Sequence, residues 1–198
     1  MNIGLTGGIA CGKSTVSAML VSRGAILVDA DRIAREVVEP GSPALAKVVD
    51  QFGPAVLHPD GTLNRKRLGE IIFSQDEARK QLEGILHPSI RTTMRTRMAE
   101  AEQQYPDRLV VVDVPLLYES GLEVMFDEVL VVYVPREKQL ARLMERDKLT
   151  LEQAEERLKA QLPIEQKKEK ADIVIDNQGT LEETESQVEQ FWRRKGIS

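Results

Sequence analysis

The chain has one cysteine, two histidines and few aromatic residues, 4% of its 198 positions. A single thiol excludes an intramolecular disulfide framework and suits a reducing compartment. Neither histidine, His58 or His87, has a second at metal spacing, which argues against a zinc centre. No apolar run approaches the ~20 residues of a membrane span. The first residues enter an apolar run with no basic stretch ahead of it, so no signal segment is expected. The net charge of −5 leaves no basic surplus for an extended nucleic-acid surface. The expectations are a cytoplasmic protein with neither a membrane nor a nucleic-acid partner. No internal repeat or low-complexity tract is present.

What is present is an alternation of strand-like and helix-like segments. The apolar runs Asn2–Thr6, Ala25–Asp29, Leu109–Val114, Glu128–Val134 and Asp172–Ile175 are nearly continuous rather than alternating. That pattern marks strands buried on both faces of a parallel sheet. Helical spacing over Lys13–Ser22, Arg136–Asp147 and Leu181–Arg194 supplies the crossovers of a wound α/β fold. Between Asp31 and Arg108 no strand is expected. Short helices are predicted over Ser42–Phe52, Arg65–Phe73 and Asp76–Leu86, and a longer one over Pro88–Gln104, with His87 at the break. A further helix is predicted over Leu151–Gln161. The division expected is one domain. It comprises a nucleotide-binding core (about 1–30, 108–135 and 171–198), an inserted helical lobe (about 31–107) and a lid (about 136–170).

The chemistry begins at Gly7-Gly-Ile-Ala-Cys-Gly-Lys13-Ser14, which fits G-x-x-x-x-G-K-[ST] between a strand and a helix. Backbone N–H groups of such a turn converge on a phosphate, and the helix N-terminus adds positive partial charge. The expected nucleotide contacts are Gly8, Ile9, Ala10, Cys11, Gly12, Lys13, Ser14 and Thr15. Lys13 reaches the β- and γ-phosphates, and Ser14 offers its hydroxyl to Mg²⁺. Cys11 reads as a small filler, although a helix N-terminus can also lower a thiol pKa. Asp113 interrupts the third strand where a P-loop protein keeps a magnesium-holding acid, with a cap or loop acid as the other reading. Asp31 is either a general base for an acceptor hydroxyl or the cap of a helix over Arg32–Val38. Asp29 carries the same ambiguity. Arg142 and Arg146, four apart, share one helix face: a solvated face, or a lid that lowers guanidinium groups onto a phosphoryl group. His87 either binds an anionic substrate or is structural.

Several motifs in order resemble the dephospho-CoA kinase family. They are Gly4-Leu-Thr-Gly-Gly-Ile9 leading to Gly12-Lys13-Ser14, Val28-Asp-Ala-Asp31 with Ile33-Ala-Arg35, and Asp60-Gly61 through Arg65 and Leu68. Next come Leu82-Glu83 with His87-Pro88 and Ile90, Asp113-Val-Pro-Leu-Leu-Tyr-Glu119, and Ala171-Asp-Ile-Val-Ile-Asp-Asn177. The phosphate loop alone is shared by many families; the combination is specific and spans nearly the whole chain.

The resemblance implies a P-loop fold with a five-stranded parallel sheet flanked by helices, an inserted helical substrate lobe and a helical lid. It also implies transfer of the γ-phosphoryl of ATP to the ribose 3′-hydroxyl of dephospho-CoA, with Mg²⁺. It assigns Asp31 as base and places Thr6 beside the reacting groups, with Arg142 and Arg146 as lid arginines. Arg65, His87 and Leu116 fall on the acceptor surface, and Asn177 near the adenine. A monomer or weak homo-oligomer is expected. Two departures stand out. Ile9-Ala10-Cys11 replaces a loop usually carrying Gly-Ser, so Ala10 must take dihedrals that glycine takes freely; Asn64 replaces an acid before Arg65. Other P-loop kinases of nucleosides or nucleotides would use the same loop, base and lid, and only the middle lobe and the full motif set separate them. A GTPase-like switch would need a guanine-reading Asn-Lys-x-Asp, which the chain lacks.

Overall fold

The computed structural model describes residues 1–73 and 75–196. Residue 74 of the expected lobe and residues 197 and 198 of the expected core lie outside the described residues. In chain order the elements are β1 (Asn2–Gly7), α1 (Lys13–Ser22), β2 (Ile26–Asp29), α2 (Ala30–Glu36), α3 (Pro43–Phe52), α4 (Arg65–Phe73) and α5 (Asp76–Gln104). They continue with β3 (Val110–Asp113), β4 (Glu128–Tyr133), α6 (Arg136–Asp147), α7 (Leu151–Lys159), α8 (Ile164–Lys170), β5 (Ile173–Asp176) and α9 (Leu181–Lys195).

The strands form one five-stranded parallel sheet in the order β2-β3-β1-β4-β5. Continuous apolar character puts β1, β3 and β4 inside it: Ile3, Leu5, Val110 to Val112 and Leu130 to Val132 are all fully buried. Register sets Leu5 beside Asp113 and Gly7 beside Val132. The C-terminal ends of β1 and β3 are therefore neighbours, with β4 on the far side of β1. A sheet order that leaves a strand in both directions opens a crevice at its carboxyl edge, where ligands of wound α/β folds bind. α1 buries Val16, Ser17 and Leu20, and packs beside α9, which buries Thr184, Val188, Phe191 and Trp192. α9 starts on a reciprocal capping box between Thr180 and Glu183.

The chain divides into two compact units, Met1–Val28 with Met98–Ser198, and Asp29–Arg97. The second unit is helical. Val48, Val56, Leu68 and Leu82 form its core, with Phe52, Leu63 and Leu86 packed around them. Truncating one of these leucines to alanine removes ~2–5 kcal/mol.

Two helical expectations are corrected. The break predicted at His87 is absent: α5 runs from Asp76 to Gln104 with Pro88 inside it. Proline lacks the N–H that would reach the carbonyl four residues back. Burial on both sides outweighs that loss, since Ala78 and Leu82 before Pro88, and Met94, Met98 and Ala101 after it, all lie in cores. The second correction is α8, which the sequence did not announce, because Ile164 is the only apolar residue in Ile-Glu-Gln-Lys-Lys-Glu-Lys.

Candidate active site

β1 ends in the phosphate loop, and the loop ends in α1. Gly12 stands at the N-cap position with φ of 83°, and no side chain caps the helix. The first N–H groups of a helix have no acceptor four residues back; Thr15 and Val16 donate to the Gly12 carbonyl at 3.0 and 3.4 Å, which leaves those of Lys13 and Ser14 to meet an anion. Ala10 is left-handed too, with φ of 61°. An L-residue there costs ~1–2 kcal/mol, so the surroundings must impose it.

The surroundings are side chains from four distant segments. Gln139 of α6 donates from Nε2 to the Ile9 carbonyl at 2.8 Å, and the Ile9 N–H donates to Gln161 Oε1 at 2.9 Å. Asn177 Nδ2 donates to the Cys11 carbonyl at 2.8 Å, while its Oδ1 accepts from the Thr184 hydroxyl at 2.8 Å. The two flanking glycines make this possible. A β-carbon on Gly8 would lie 2.2 Å from Gln139 Nε2, and one on Gly12 2.1 Å from Asn177 Nδ2.

Beneath the loop lies a residue that sequence reasoning missed. Lys167 of α8 is fully buried. Its ammonium donates to the carbonyls of Gly7 (3.2 Å) and Pro115 (3.3 Å) and pairs with Glu119 Oε1 at 2.8 Å. Three donors meet three acceptors, as a buried cation requires. Glu119 also accepts the Leu162 N–H at 2.8 Å. Thr6, fully buried, donates its hydroxyl to the same Pro115 carbonyl at 3.2 Å. The ends of β1 and β3 are thus fastened together just below the loop.

Around the loop is a cavity of about 630 Å³. Gly8, Ile9, Ala10, Gly12, Lys13, Ser14, Thr15, Arg142, Arg146 and Asn177 line it, together with Gln161 and Leu181. Lys13 forms a salt bridge with Asp113 at the end of β3. Arg142 donates to the Asn177 carbonyl at 2.9 Å, and Lys138 to that of Gln178 at 2.9 Å, so α6 is pinned to the turn after β5. Arg146 forks onto Asp147 (2.7 and 3.1 Å), which Arg157 also approaches. The Arg146 hydrogen bond holds the Asp147 carboxyl below the usual carboxylate range. Lys148 is left-handed and caps α6, and a Thr150–Gln153 capping box starts α7, so the polar joint between them is built rather than loose. Cys11 is fully buried, and desolvation pushes its thiol up to about 11. That corrects the idea of a thiol activated by the helix N-terminus: burial outweighs it here.

The first unit therefore gathers the loop residues, Lys13, Ser14, Asp113, Arg142, Arg146 and Asn177 around one cavity or directly beside it. Thr6 lies buried under it, and Leu116 is exposed just after Pro115. Asp31, Arg65 and His87 belong to the second unit. There Asp29, not Asp31, caps α2: its Oδ1 accepts from the N–H groups of Asp31 (2.9 Å) and Arg32 (3.1 Å). The Asp31 side chain is left exposed in the first turn. Arg65 opens α4, also exposed, and His87 lies half-buried in α5.

A family model of dephospho-CoA kinase matches residues 1–183. The chain belongs to the dephospho-CoA kinase family. A dephospho-CoA kinase from Shouchella clausii is 53% identical over 188 residues, 95% of each chain. The solved structure of a dephospho-CoA kinase from Campylobacter jejuni superposes with a TM-score of 0.77 at 34% identity, covering 100% of this chain and 98% of that one. Shikimate kinase from Aquifex aeolicus, at 16% identity and a TM-score of 0.51 over 100% of this chain and 99% of that one, shares the P-loop kinase fold. Membership of the family accounts for the motif order from the phosphate loop to Asn177.

Proposed function

We propose that the protein moves the γ-phosphoryl of ATP to the ribose 3′-hydroxyl of dephospho-CoA, giving coenzyme A and ADP. The observation that carries this reading is the uncapped start of α1 sharing one cavity with Lys13, Arg142 and Arg146, with Asp113 paired to Lys13. It is taken together with the dephospho-CoA kinase match along the chain. Phosphoryl transfer needs in-line positioning and positive charge on the equatorial oxygens, and little covalent help.

The roles follow from the chemistry of each group. Loop N–H groups and Lys13 hold the triphosphate, and Lys13 exchanges its Asp113 partner for phosphate oxygens. Arg142 and Arg146 face the cavity as donors for the transferring group. Asp31, released from capping by Asp29, takes the 3′-hydroxyl proton. The O3′–P bond then forms as the bond from the γ-phosphorus to the β–γ bridging oxygen breaks, and ADP leaves with those electrons. Arg65, His87 and Leu116 supply the acceptor surface. Thr6 acts from below by holding Pro115, and Asn177 from the side by holding Cys11.

Ser14 and Asp113 offer hard oxygen donors, a hydroxyl and a carboxylate, which fit Mg²⁺ with substrate phosphates completing its shell. Such an ion neutralises charge on the β- and γ-oxygens. The same reading includes a cytoplasmic enzyme working as a monomer or weak homo-oligomer. No helix among the described residues is long and apolar enough to cross a membrane.

A coupled ADP-release assay with Mg-ATP tests the reading. Dephospho-CoA should stimulate ADP formation far above that with adenosine, cytidine or their monophosphates. Faster turnover with a nucleoside or nucleotide would replace this assignment with that of another small-molecule kinase.

A further inference from the structure

Ile9 of the phosphate loop is held from outside the loop at both ends of its peptide unit. Both of its backbone polar groups are taken by side chains, the carbonyl by Gln139 at 2.8 Å and the N–H by Gln161 at 2.9 Å. Neither partner comes from the loop, β1 or α1. Gln139 sits in α6 and is almost fully buried, while Gln161 follows α7. The Ile9 and Ala10 side chains point the same way, packing against a small cluster of Leu140, Leu143 and Ala154 that belongs to α6 and α7. Polar and apolar contacts therefore bind the first half of the loop to the lid helices. Directly after this grip the chain enters the left-handed turn at Ala10, a conformation that persists only where neighbours over-determine it.

From this arrangement we infer that Gln139 and Gln161 are positioning residues for the nucleotide. They act through Ile9 to hold the loop in the shape that aims the later N–H groups at phosphate. The inference rests on the kinase reading above. An amide suits the task, because it holds a peptide's carbonyl or N–H without adding charge beside a triphosphate. Gly8 completes the device: with any β-carbon there, Gln139 could not reach Ile9. The lid and the loop then move as one mechanical piece, and a loop lacking the grip samples conformations that do not bind phosphate. Apparent affinity falls by the fraction of time the competent shape is lost. The acceptor, bound elsewhere, is untouched.

The test compares the full-length parent with Gln139→Leu, Gln161→Leu and the double variant, using Mg-ATP and dephospho-CoA at steady state. Leucine keeps the bulk and removes the hydrogen bond. The expected result is a rise of roughly tenfold in KM for ATP in each single variant, the size of a lost buried hydrogen bond. It comes with kcat within about threefold of the parent and KM for dephospho-CoA unchanged. Hydrogen exchange of the amides of residues 9–14 should quicken in the nucleotide-free variants and return to the parental rate at saturating ATP. Urea titration separates this from general unfolding, and Gln161→Leu, at the cavity edge, is the variant to read if Gln139→Leu does not fold. A KM for ATP within twofold of the parent in Gln161→Leu overturns the inference. So does a loss of kcat in step with the folded fraction. A parent that transfers nothing to dephospho-CoA defeats the kinase reading instead. The inference is then decided by calorimetry with Mg-ATP, where a tenfold weaker Kd in the variants supports it and an equal Kd overturns it.

Discussion

The side-chain amide of Asn177 donates to the carbonyl of Cys11 at 2.8 Å, and it does so through the space that a β-carbon on Gly12 would fill. The far end of the same amide is fixed by Thr184. Asn177 lies 166 residues from Cys11 in the chain, yet the phosphate loop keeps its shape by this contact. The family motif at Asn177 thus has a physical reason independent of any base it touches.

Gly12→Ala should therefore damage the site twice. The methyl group collides with Asn177, and φ of 83° costs an alanine ~1–2 kcal/mol. Calorimetry with Mg-ATP is expected to show binding weakened by about tenfold or more while circular dichroism stays native. Unchanged affinity would contradict the bracket.

Asp29 and Asp31 should separate cleanly. Asp29→Ala removes the α2 cap and should cost about 1 kcal/mol of stability, with kcat largely kept. Asp31→Asn should leave the urea midpoint and ATP affinity in place and cut kcat by ~10²-fold or more, as for loss of a general base. The opposite pattern, a destabilised Asp31→Asn with full turnover, would remove Asp31 from the mechanism.

Cys11 predicts a pH dependence. Its thiol is raised from 9.0 to about 11 by burial, so the folded chain holds the proton more tightly than the unfolded one. The stabilisation is fully present below pH 9 and is lost as pH rises from about 9 to about 11, by on the order of 2–3 kcal/mol. The difference in urea stability between the parent and Cys11→Ala should shrink across that window. At pH 7.5 the native thiol should resist iodoacetamide and react readily once unfolded; rapid alkylation of the native state would contradict the burial argument.

Lys167→Met removes the cation that Glu119 faces and takes one donor from each of the Gly7 and Pro115 carbonyls, the second keeping the Thr6 hydroxyl. Stability should fall by on the order of 3 kcal/mol, the lower range for breaking a buried pair because Glu119 keeps some solvent. Adding Glu119→Gln, which still accepts the Leu162 N–H, should recover part of it. A single variant as stable as the parent would deny the pairing seen at Nζ.

The parts of this account legible in the sequence are those written in local pattern. α1 and α6 begin and end where apolar spacing and the loop motif put them, and each of the five apolar runs holds a strand; burial on both faces marks β1, β3 and β4, while the edge strands β2 and β5 are only partly buried. The positive φ at Ala10 followed from an alanine standing where glycine is usual. Features written in distant contacts were not legible. Lys167 sits in a charged run that reads as a solvated face, and its burial depends on acceptors from Gly7, Pro115 and Glu119, none near it in sequence. Gln139 and Gln161 carry no motif. Pro88 reads as a helix start and is instead a helix interior, since tertiary packing along α5 outweighs one missing hydrogen bond. Spacing alone leaves Asp29 and Asp31 each as cap or base and only the resemblance favours Asp31 as base; the cap belongs to Asp29.

Phosphorus NMR of the full-length protein with Mg-ATP and dephospho-CoA tests the central claim most directly. The account predicts one new phosphomonoester resonance per ADP formed, abolished in Lys13→Ala. ADP and inorganic phosphate accumulating without any ester, in natively folded protein, would contradict it.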